Sequence, residues 1–324
     1  MVISVVIPLY NKALTIDAAI ASVVAQSWAD WRLIVVDDGS RDNGPELVSR
    51  WEAKDPRIKL VSQANAGVSA ARNHGAALSS SEHVAFLDAD DVWLPDHLKN
   101  LAVLSEAVPD AVMWAAAYRL VDDAGNDRSV HLQPAAAGGL GYYLIHDYFT
   151  ESVRHEFPVH SSAVMVRKSA LQAIGGFPLG VRSGEDVLTW ARLSCMGPFP
   201  ISRSATALYM APPIAPARRR EVVRRPVSPC PVLQGLDELA ERYPNRLASI
   251  EQFRGLWWRI RSMSFMELNE RRSALHDVWQ AVKASGLRRR DVLTIVLLCL
   301  PHGLQSTLIA RSRGYRPSVP KAGP

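Results

Sequence analysis

Two kinds of apolar segment alternate along the first half of the chain. Short apolar runs without polar alternation are typical of strands covered on both faces, and the longer segments between them have helical periodicity. The strand-like runs are 4–8, 33–36, 58–61 and 84–87, and the helix-like segments are 13–27, 44–54 and 67–78. Strands that alternate with helices at this spacing predict βαβ units and a mostly parallel sheet.

Beyond residue 100 the pattern is less regular. Residues 112–121 and 161–166 are apolar enough to predict two further strands, and 185–195 has the periodicity of a helix. Polar and small residues predict a turn at 122–127 and a mobile loop at 134–141. These elements continue the α/β pattern of the first half.

The last third of the chain differs in composition and charge. Residues 211–231 contain six prolines and five arginines, which indicates a linker or domain edge, and 232–310 have helical periodicity. Residues 1–210 carry 17 Lys and Arg against 23 Asp and Glu, a net charge of −6, whereas 211–324 carry 20 against 9, a net charge of +11. The sequence therefore predicts an α/β catalytic domain over 1–210 and a basic, mainly helical C-terminal region over 211–324.

Composition excludes several classes of protein. With 324 residues, of which 48% are hydrophobic and 21% charged, the chain is neither disordered nor of low complexity. Its three cysteines form no close pair, which argues against a disulfide framework or structural zinc site and favours a reducing compartment. The sequence has neither a signal-peptide pattern nor an apolar stretch long enough to span a bilayer, so we expect a cytoplasmic protein.

Acidic residues follow two of the predicted strands. Asp37 and Asp38 follow the second strand, and Asp88 and Asp90 flank Ala89 after the fourth. Because ligands of parallel α/β sheets bind beyond the carboxyl ends of the strands, both clusters should face one crevice. Two carboxylates that flank a small residue can share Mg²⁺ or Mn²⁺, which prefers few protein carboxylates together with substrate phosphates. Either cluster could instead cap a turn or a helix.

Several longer motifs occur in a definite order along the chain. They are 4–11 (SVVIPLYN), 35–40 (VVDDGS), 65–73 (NAGVSAARN), 86–91 (FLDADD), 174–177 (IGGF) and 184–193 (GEDVLTWARL). Taken together, and over roughly residues 3–210, they resemble the family 2 glycosyltransferases, which are inverting enzymes with the GT-A nucleotide-diphospho-sugar transferase fold. The resemblance implies a three-layer α/β/α sandwich with a mostly parallel sheet, followed here by the helical C-terminal region.

The resemblance implies a nucleotide-sugar donor site at the ends of the first strands. Pro8 and Tyr10 match positions that flank the nucleotide base, and Asp38 matches the carboxylate that hydrogen-bonds the base. Asp37 lies beside Asp38 and either joins the donor site or caps the following turn.

Further donor and metal positions follow from the same resemblance. Arg72 and Asn73 match positions that line the nucleotide. Asp88 and Asp90 match the acidic metal-binding motif, with Asp90 in direct contact with Mn²⁺ or Mg²⁺ and Asp88 contacting the ribose, or the metal through water. Asp91 is expected to cap the following helix.

Glu185 and Asp186 match the acidic pair that supplies the general base in the resembled family. The acceptor hydroxyl must lose its proton as it attacks the sugar, so a carboxylate within hydrogen-bond reach assists the reaction. Asp186 matches the base, with Glu185 supporting the acceptor or the geometry. The same residues are equally suited to a helix N-terminus. Trp190, one turn on, either stacks on a sugar or packs in the core.

The resemblance predicts a metal-dependent, inverting transfer of a single sugar from a nucleotide diphosphate donor, expected to be a UDP-sugar. The expected acceptor is a glycan or polyprenyl-diphosphate-linked molecule in bacterial surface polysaccharide assembly. The QxxRW signature of polymerising members is absent after Glu185 and Asp186, which favours one transfer per acceptor. The alternatives are a sugar nucleotidyltransferase, which usually has a glycine-rich basic N-terminal loop, and a non-catalytic membrane-associated scaffold that binds nucleotide-sugars, which needs no acceptor base.

The basic C-terminal region has two interpretations. Arg288, Arg289 and Arg290 precede the apolar run 292–300, and basic flanks on an apolar helix suit an anionic bilayer surface. The protein would then lie on the inner face of the cytoplasmic membrane. Alternatively the helix packs on the catalytic domain and keeps a solvated basic face. No nucleic-acid-binding module is recognised, and no nucleic-acid partner is expected.

Overall fold

The computed structural model describes residues 1–121, 127–129, 141–210 and 223–300. The predicted turn and mobile loop lie almost entirely outside these residues, as do most of the predicted linker and the end of the predicted helical region. The chain divides into two compact units. In the described residues, the first unit comprises 1–121, 127–129, 141–148 and 158–210, and the second comprises 149–157 and 223–300.

A single mixed sheet forms the centre of the first unit. Its described strands are β1 (Ile3–Leu9), β2 (Trp31–Asp37), β3 (Ile58–Ser62), β4 (His83–Phe86), β5 (Val92–Trp93), β6 (Met113–Val121), β7 (Asp127–Ser129), β8 (Tyr142–Ile145), β9 (Val164–Arg167) and β10 (Phe199–Met210). Their order is β3-β2-β1-β4-β9-β6-β10-β5, with β7 beside β6 and β8 beside β10.

Most of the long strands run in one direction. β1 pairs in parallel with β2 and β4, β2 with β3, and β6 with β10, while β9 runs antiparallel between β4 and β6. Leu9 lies opposite Asp37 at the end of β1. The carboxyl ends of β1, β2 and β4 therefore meet at one edge, which confirms the predicted α/β class and its mostly parallel sheet.

Helices cover both faces of this sheet. They are α1 (Ile16–Val24), α2 (Gly44–Glu52), α3 (Val68–Leu78), α4 (His97–Ala107), α6 (Lys168–Ala173) and α7 (Glu185–Ser194), whereas α5 (Tyr148–Arg154) belongs to the second unit apart from its first residue. Ile20 of α1, Val48 of α2 and Leu101 of α4 belong to one buried core with Val5 and Ile7 of β1.

The opposite face of the sheet is covered by α3 and α7. A side chain at Gly75 of α3 would overlap Val6 of β1, so that helix lies directly on the strand. Trp190 of α7 packs on Phe177 with ring centroids 5.5 Å apart, and Phe177 packs on Phe86 of β4. The three layers of the predicted sandwich are therefore present.

The second unit is helical. Its described helices include α8 (Pro231–Arg242), α9 (Leu247–Glu267), α10 (Arg271–Ser285) and α11 (Arg289–Cys299). Gly255 lets α9 approach α10, because a side chain there would overlap Ser285. Arg259 of α9 binds Asp291 of α11 at 2.7 Å and so ties the helices together. Among the described helices, none has the length and apolar character needed to cross a membrane.

Candidate active site

The ends of β1 and β2 hold the first group of predicted donor residues. Pro8 lies in β1 and is partly exposed, as is Tyr10 directly after the strand. The Asp38 N–H donates to the Leu9 carbonyl at 2.8 Å, which joins the two strand ends.

Asp37 and Asp38 are both buried and both accept hydrogen bonds from the backbone. Asp37 Oδ1 accepts from the Ser40 N–H at 3.0 Å, which is the turn-capping contact. Asp38 accepts from the Gln63 amide and from the N–H groups of Ala66 and Gly67, each at 2.8 Å. The Asp38 carboxylate therefore shapes the loop that precedes α3, and its contact with a nucleotide base stays a prediction.

Arg72 joins two acidic groups that are far apart in the sequence. Its guanidinium donates to Asp88 Oδ1 at 2.7 Å and to Glu185 Oε1 at 3.3 Å. The Arg72 side chain is only 3% exposed, and its guanidinium lies 5.2 Å from the centre of the Phe177 ring. Burial alone would lower the pKa of Arg72, but the charges of Asp88 and Glu185 raise it, so the residue stays cationic.

Asn73, the next residue of α3, anchors the loop before α7. Its side-chain amide donates to the Phe177 carbonyl at 2.8 Å, and its carbonyl oxygen accepts from the Phe177 N–H at 2.8 Å. Gly176 has a φ of +74° and lies so close to Asn73 that a Cβ atom would come within 2.6 Å of Asn73 Oδ1. Asn73 therefore holds this loop, and a contact with the nucleotide stays a prediction.

The acidic pair at the start of α7 lies beside Arg72. Gly184 precedes the helix with a φ of +83°, and Glu185 and Asp186 are its first residues. Burial and the negative charge of Glu185 together raise the pKa of Asp186 to about 7, although the positive charge of Arg72 opposes them. A carboxyl with this pKa can take up and release a proton near neutral pH, which is what a general base requires.

Lys12 is a site residue that the sequence reasoning missed. Its ammonium lies 3.2 Å from Asp90 Oδ2, just beyond the end of β1. Its position next to the motif 4–11 was the available signal.

Within the described residues, no group of three or more His, Cys, Asp or Glu side chains is arranged to hold a metal ion. Any cation here would need oxygen ligands in addition to Asp88 and Asp90.

Asp91 does not cap a helix, which corrects the sequence prediction. It is buried, and it accepts from the Ser162 hydroxyl at 2.6 Å and from the Met210 N–H at 3.0 Å. The Ser162 hydroxyl also accepts from the Asp88 N–H at 3.0 Å. Hydrogen bonds to Asp91 and Ser162 thus hold the backbone of the acidic motif in place. Asp91 is not at the start of α4, because β5 lies between them in the sequence.

Trp190 packs in the core. It is fully buried between Phe86 and Phe177, so the interpretation as a sugar-stacking residue is wrong.

Tyr209 of β10, like Lys12, was missed by the sequence reasoning. Burial raises its pKa, the carboxylates of the acidic motif raise it further, and its ring centre lies 4.6 Å from that of His160.

The sequence model described as "Glycosyl transferase family 2" matches residues 4–175, which is more than half of the chain. The chain belongs to this family. The matched residues include β1, β2, β4 and the acidic motif, but they end before Glu185 and Asp186.

Relatives of this family 2 glycosyltransferase are similar over part of its length. An uncharacterized glycosyltransferase of Nostoc sp. is 40% identical over 131 residues, 40% of this chain and 40% of its own length. The UDP-Glc:alpha-D-GlcNAc-diphosphoundecaprenol beta-1,3-glucosyltransferase WfgD of Escherichia coli is 42% identical over 98 residues, 30% of this chain and 38% of its own length. The chain therefore matches less than half the length of these relatives.

Solved structures share the fold over nearly the whole chain. The structure of TarS residues 1–349 from S. aureus with UDP-GlcNAc has a TM-score of 0.63 at 18% identity and covers 98% of this chain and 93% of its own. The mannosyltransferase PcManGT of Pyrobaculum calidifontis, in complex with GDP-Man and Mn²⁺, has a TM-score of 0.55 at 19% identity, with 95% and 84% covered. These likenesses show a GT-A glycosyltransferase fold.

Proposed function

We propose that the chain is an inverting, divalent-metal-dependent glycosyltransferase that moves a single sugar from a nucleotide diphosphate donor to a glycan or lipid-linked acceptor. The transfer would be a step in the assembly of a bacterial surface polysaccharide. In this proposal residues 1–210 form the catalytic domain, and 211–324 form the basic helical region.

The observation that carries the proposal is the position of Arg72 between two acidic groups. Asp88 belongs to the acidic motif that follows β4, and Glu185 begins α7 beside Asp186. One guanidinium holds both, although 113 residues separate Arg72 from Glu185 along the chain. A donor held near Asp88 would therefore lie near the carboxyl that accepts the acceptor's proton.

The proposed reaction is a single displacement. An acceptor hydroxyl oxygen attacks the anomeric carbon of the donor, the bond from that carbon to the diphosphate oxygen breaks, and the diphosphate leaves with the electron pair. The hydroxyl proton passes to Asp186, whose pKa of about 7 suits proton uptake at neutral pH. Attack from the side opposite the leaving group inverts the anomeric configuration.

The acidic motif fits a divalent cation. Asp88 and Asp90 supply hard carboxylate oxygens, and Mg²⁺ is commonly held by one or two carboxylates together with substrate phosphates. Asp88 and Asp90 would hold Mn²⁺ or Mg²⁺ in this way, with the donor's diphosphate completing the ligands. When bound, the cation would offset the charge that develops on the leaving diphosphate.

Two relatives support the donor and acceptor classes. TarS was solved with UDP-GlcNAc, and the name of WfgD gives a UDP-sugar as donor and a diphosphoundecaprenol-linked sugar as acceptor. We therefore propose a UDP-sugar donor, with GDP-sugars as the first alternative because the Pyrobaculum enzyme was solved with GDP-Man.

A thermal-shift panel of UDP-, GDP- and dTDP-sugars, with and without Mn²⁺, tests donor binding. A ligand that binds only the folded state raises the melting temperature, and we expect a UDP-sugar to do so only when Mn²⁺ is present. Asp90→Ala should abolish the shift, and Asp30→Ala, at an exposed aspartate, should retain it. No shift with any nucleotide-sugar, or an unchanged shift in Asp90→Ala, would contradict the proposal.

The stereochemistry has its own test. Once a donor and an acceptor are found, the anomeric configuration of the product can be read from its proton NMR spectrum. Inversion relative to the donor is expected. A product that keeps the donor's configuration would exclude the single displacement.

A further inference from the structure

The second unit carries exposed apolar side chains that the proposed reaction does not use. Leu275 and Trp279 are exposed on α10, and Val292, Ile295 and Val296 are exposed on α11. Because residues three and four apart lie on the same side of a helix, each group forms a continuous stripe. We call them the α10 stripe and the α11 stripe.

Basic residues border both stripes. Arg272 comes three residues before Leu275 and Lys283 four residues after Trp279, so both lie on the side of the α10 stripe and both are exposed. The Lys283 ammonium lies 3.4 Å from the centre of the Trp279 ring. Arg289, also exposed, is the first residue of α11, three residues before the α11 stripe begins.

The acidic side chains of the same segment are engaged with arginines. Residues 270–300 contain three acidic residues, and each forms an ion pair: Glu270 with Arg225 at 2.8 Å, Asp277 with Arg261 at 3.0 Å, and Asp291 with Arg259 at 2.7 Å. Asp277 and Asp291 are buried. The exposed charged residues of α10 and α11 are therefore all positive.

We propose that the α10 and α11 stripes bind the surface of an anionic lipid bilayer. Apolar side chains would enter the boundary between headgroups and acyl chains, Trp279 would lie at that boundary, and the bordering cations would attract anionic headgroups. This inference goes beyond the proposed function and stands without it, although an enzyme with a lipid-linked acceptor would meet its substrate at such a surface.

Charge favours a membrane over a second copy of the chain as the occupant. A two-fold symmetric dimer brings the same patch of both copies together. Arg272, Lys283 and Arg289 of one copy would then meet the same set of cations of the other copy across the interface, and like charges repel. An anionic membrane instead gains attraction from each of these residues.

Vesicle sedimentation with the full chain tests the proposal. We expect the protein to partition onto vesicles of equal phosphatidylglycerol and phosphatidylcholine, and to bind pure phosphatidylcholine at least tenfold more weakly. Each surface cation changes membrane partitioning about fivefold, so Arg272→Gln with Arg289→Gln should weaken binding to anionic vesicles by about 30-fold. Val292→Asp with Val296→Asp should reduce it by more than tenfold, because carboxylates would enter the interface.

The matched control places the same substitutions on similarly exposed residues of the first unit. Val103 is 54% exposed and Leu78 50%, close to the 52% of Val296, so Val103→Asp with Leu78→Asp should leave vesicle binding unchanged. The circular dichroism melting temperature of each variant checks that it is folded.

Three results would overturn the proposal. The first is that the wild-type chain fails to bind anionic vesicles. The second is that the control pair weakens vesicle binding as much as Val292→Asp with Val296→Asp does. The third is that the wild-type chain binds no vesicles but forms a concentration-dependent dimer in sedimentation velocity, which Val292→Asp with Val296→Asp abolishes. Nucleotide-sugar binding is measured separately by thermal shift, so failure of the membrane proposal is distinguishable from failure of the proposed function.

Discussion

Arg72 is the residue on which the candidate site depends. A buried guanidinium is costly unless carboxylates and hydrogen bonds compensate for the lost water, and Asp88 and Glu185 supply that compensation. The planar group of arginine can donate to two carboxylates at once, which the single ammonium of lysine does less well. The same contact therefore stabilises the fold and sets the distance between the acidic motif and α7.

Replacing Arg72 should destabilise the protein strongly. Arg72→Gln leaves Asp88 and Glu185 without their shared cation, and breaking a buried ion pair costs about 3–5 kcal/mol. Arg119 bonds to Asp127 at the same 2.7 Å as Arg72 to Asp88, but on the surface, so Arg119→Gln should cost at most about 1 kcal/mol. Urea unfolding of both variants measures the difference, and equal costs would contradict this role of Arg72.

The pKa of Asp186 predicts the pH dependence of transfer. A general base must be deprotonated to act, so kcat/KM should rise as the pH increases through about 7. Glu185→Gln removes the neighbouring negative charge that raises the pKa of Asp186, so it should move this rise to lower pH. Asp186→Asn should slow transfer by about 10²–10⁴-fold while donor binding persists. A flat profile between about pH 6 and 8, or an unchanged rise in Glu185→Gln, would exclude Asp186 as the base.

The raised pKa of Asp186 also has a consequence for stability. The folded state holds this proton more tightly than the unfolded chain, so the stability it contributes is complete below the ordinary carboxyl pKa and is lost as the pH rises through about 7. Asp186→Asn should therefore be more stable than the wild type in alkaline buffer, and the difference should shrink as the pH falls towards 4. Thermal melts across this range provide the measurement, and a gap that grows in acid would reverse the sign.

Lys12 should compete with a metal ion for Asp90. Its ammonium lies 3.2 Å from Asp90 Oδ2, so Lys12→Ala should raise the affinity of the chain for Mn²⁺ alone, measured by calorimetry. Lys59, which lies in β3, forms an ion pair with Glu52 at the same distance of 3.2 Å. Lys59→Ala is therefore the matched control and should leave Mn²⁺ affinity unchanged. An unchanged or lower affinity in Lys12→Ala would show that the two cations do not compete.

At the scale of elements, the loop before α7 is held by α3. Three glycines near this loop have similar left-handed φ values, +82° at Gly175, +74° at Gly176 and +73° at Gly180, but only Gly176 would place a Cβ against Asn73. Gly176→Ala therefore adds a steric clash to the conformational cost that all three substitutions share. The loop carries Phe177, so a shift there would reach Arg72 and the aromatic contacts of α7.

The three glycines give a matched series. Alanine at Gly175 or Gly180 should cost about 1 kcal/mol, because an L-residue is strained in the left-handed region. Gly176→Ala should cost about 1–3 kcal/mol more, because it also disturbs the two hydrogen bonds between Asn73 and Phe177. Chemical denaturation ranks the three variants, and a Gly176→Ala cost no larger than the others would contradict this role of Asn73.

The central strands of the first half could be predicted closely because they are buried on both faces. The run 33–36 lies within β2, since continuous apolar residues mark such strands, and 58–61 lies within β3, an edge strand that is only partly buried. The prediction of a strand over 161–166 was only partly right, because Ser161–Ala163 form a 3₁₀ turn in which the Ser162 hydroxyl donates to Asp91, and β9 begins at Val164. β10 was missed because its polar residues at 202–204 interrupt the apolar pattern where the pairing with β6 is irregular.

The candidate site was only partly predictable. The sequence gives the acidic residues at the strand ends, because strand direction alone brings them to one edge. It does not show that Arg72 would be buried and bonded to both Asp88 and Glu185, or that the Asn73 side chain would bind the backbone of Phe177. The contacts with Glu185 and Phe177 depend on side-chain directions across more than 100 residues, and periodicity does not encode them.

At the scale of the whole molecule, the two parts of the chain differ in net charge. Residues 1–210 carry a net charge of −6, so an anionic nucleotide-sugar approaches a region of its own sign. Lys12, Arg72 and a divalent cation at Asp88 and Asp90 would offset this repulsion locally. Residues 211–324, with a net charge of +11, suit an anionic surface instead.

The central claim is that Asp88, Asp90 and Asp186 serve one reaction centre organised by Arg72. The most direct measurement is the anomalous diffraction signal of Mn²⁺ in crystals of the full chain grown with uridine diphosphate. The account predicts an anomalous peak about 2.0–2.2 Å from a carboxylate oxygen of Asp90, with diphosphate oxygens on its other side and Asp186 facing the same space. A nucleotide and metal bound elsewhere, with the Lys12–Asp90 contact unchanged, would contradict it.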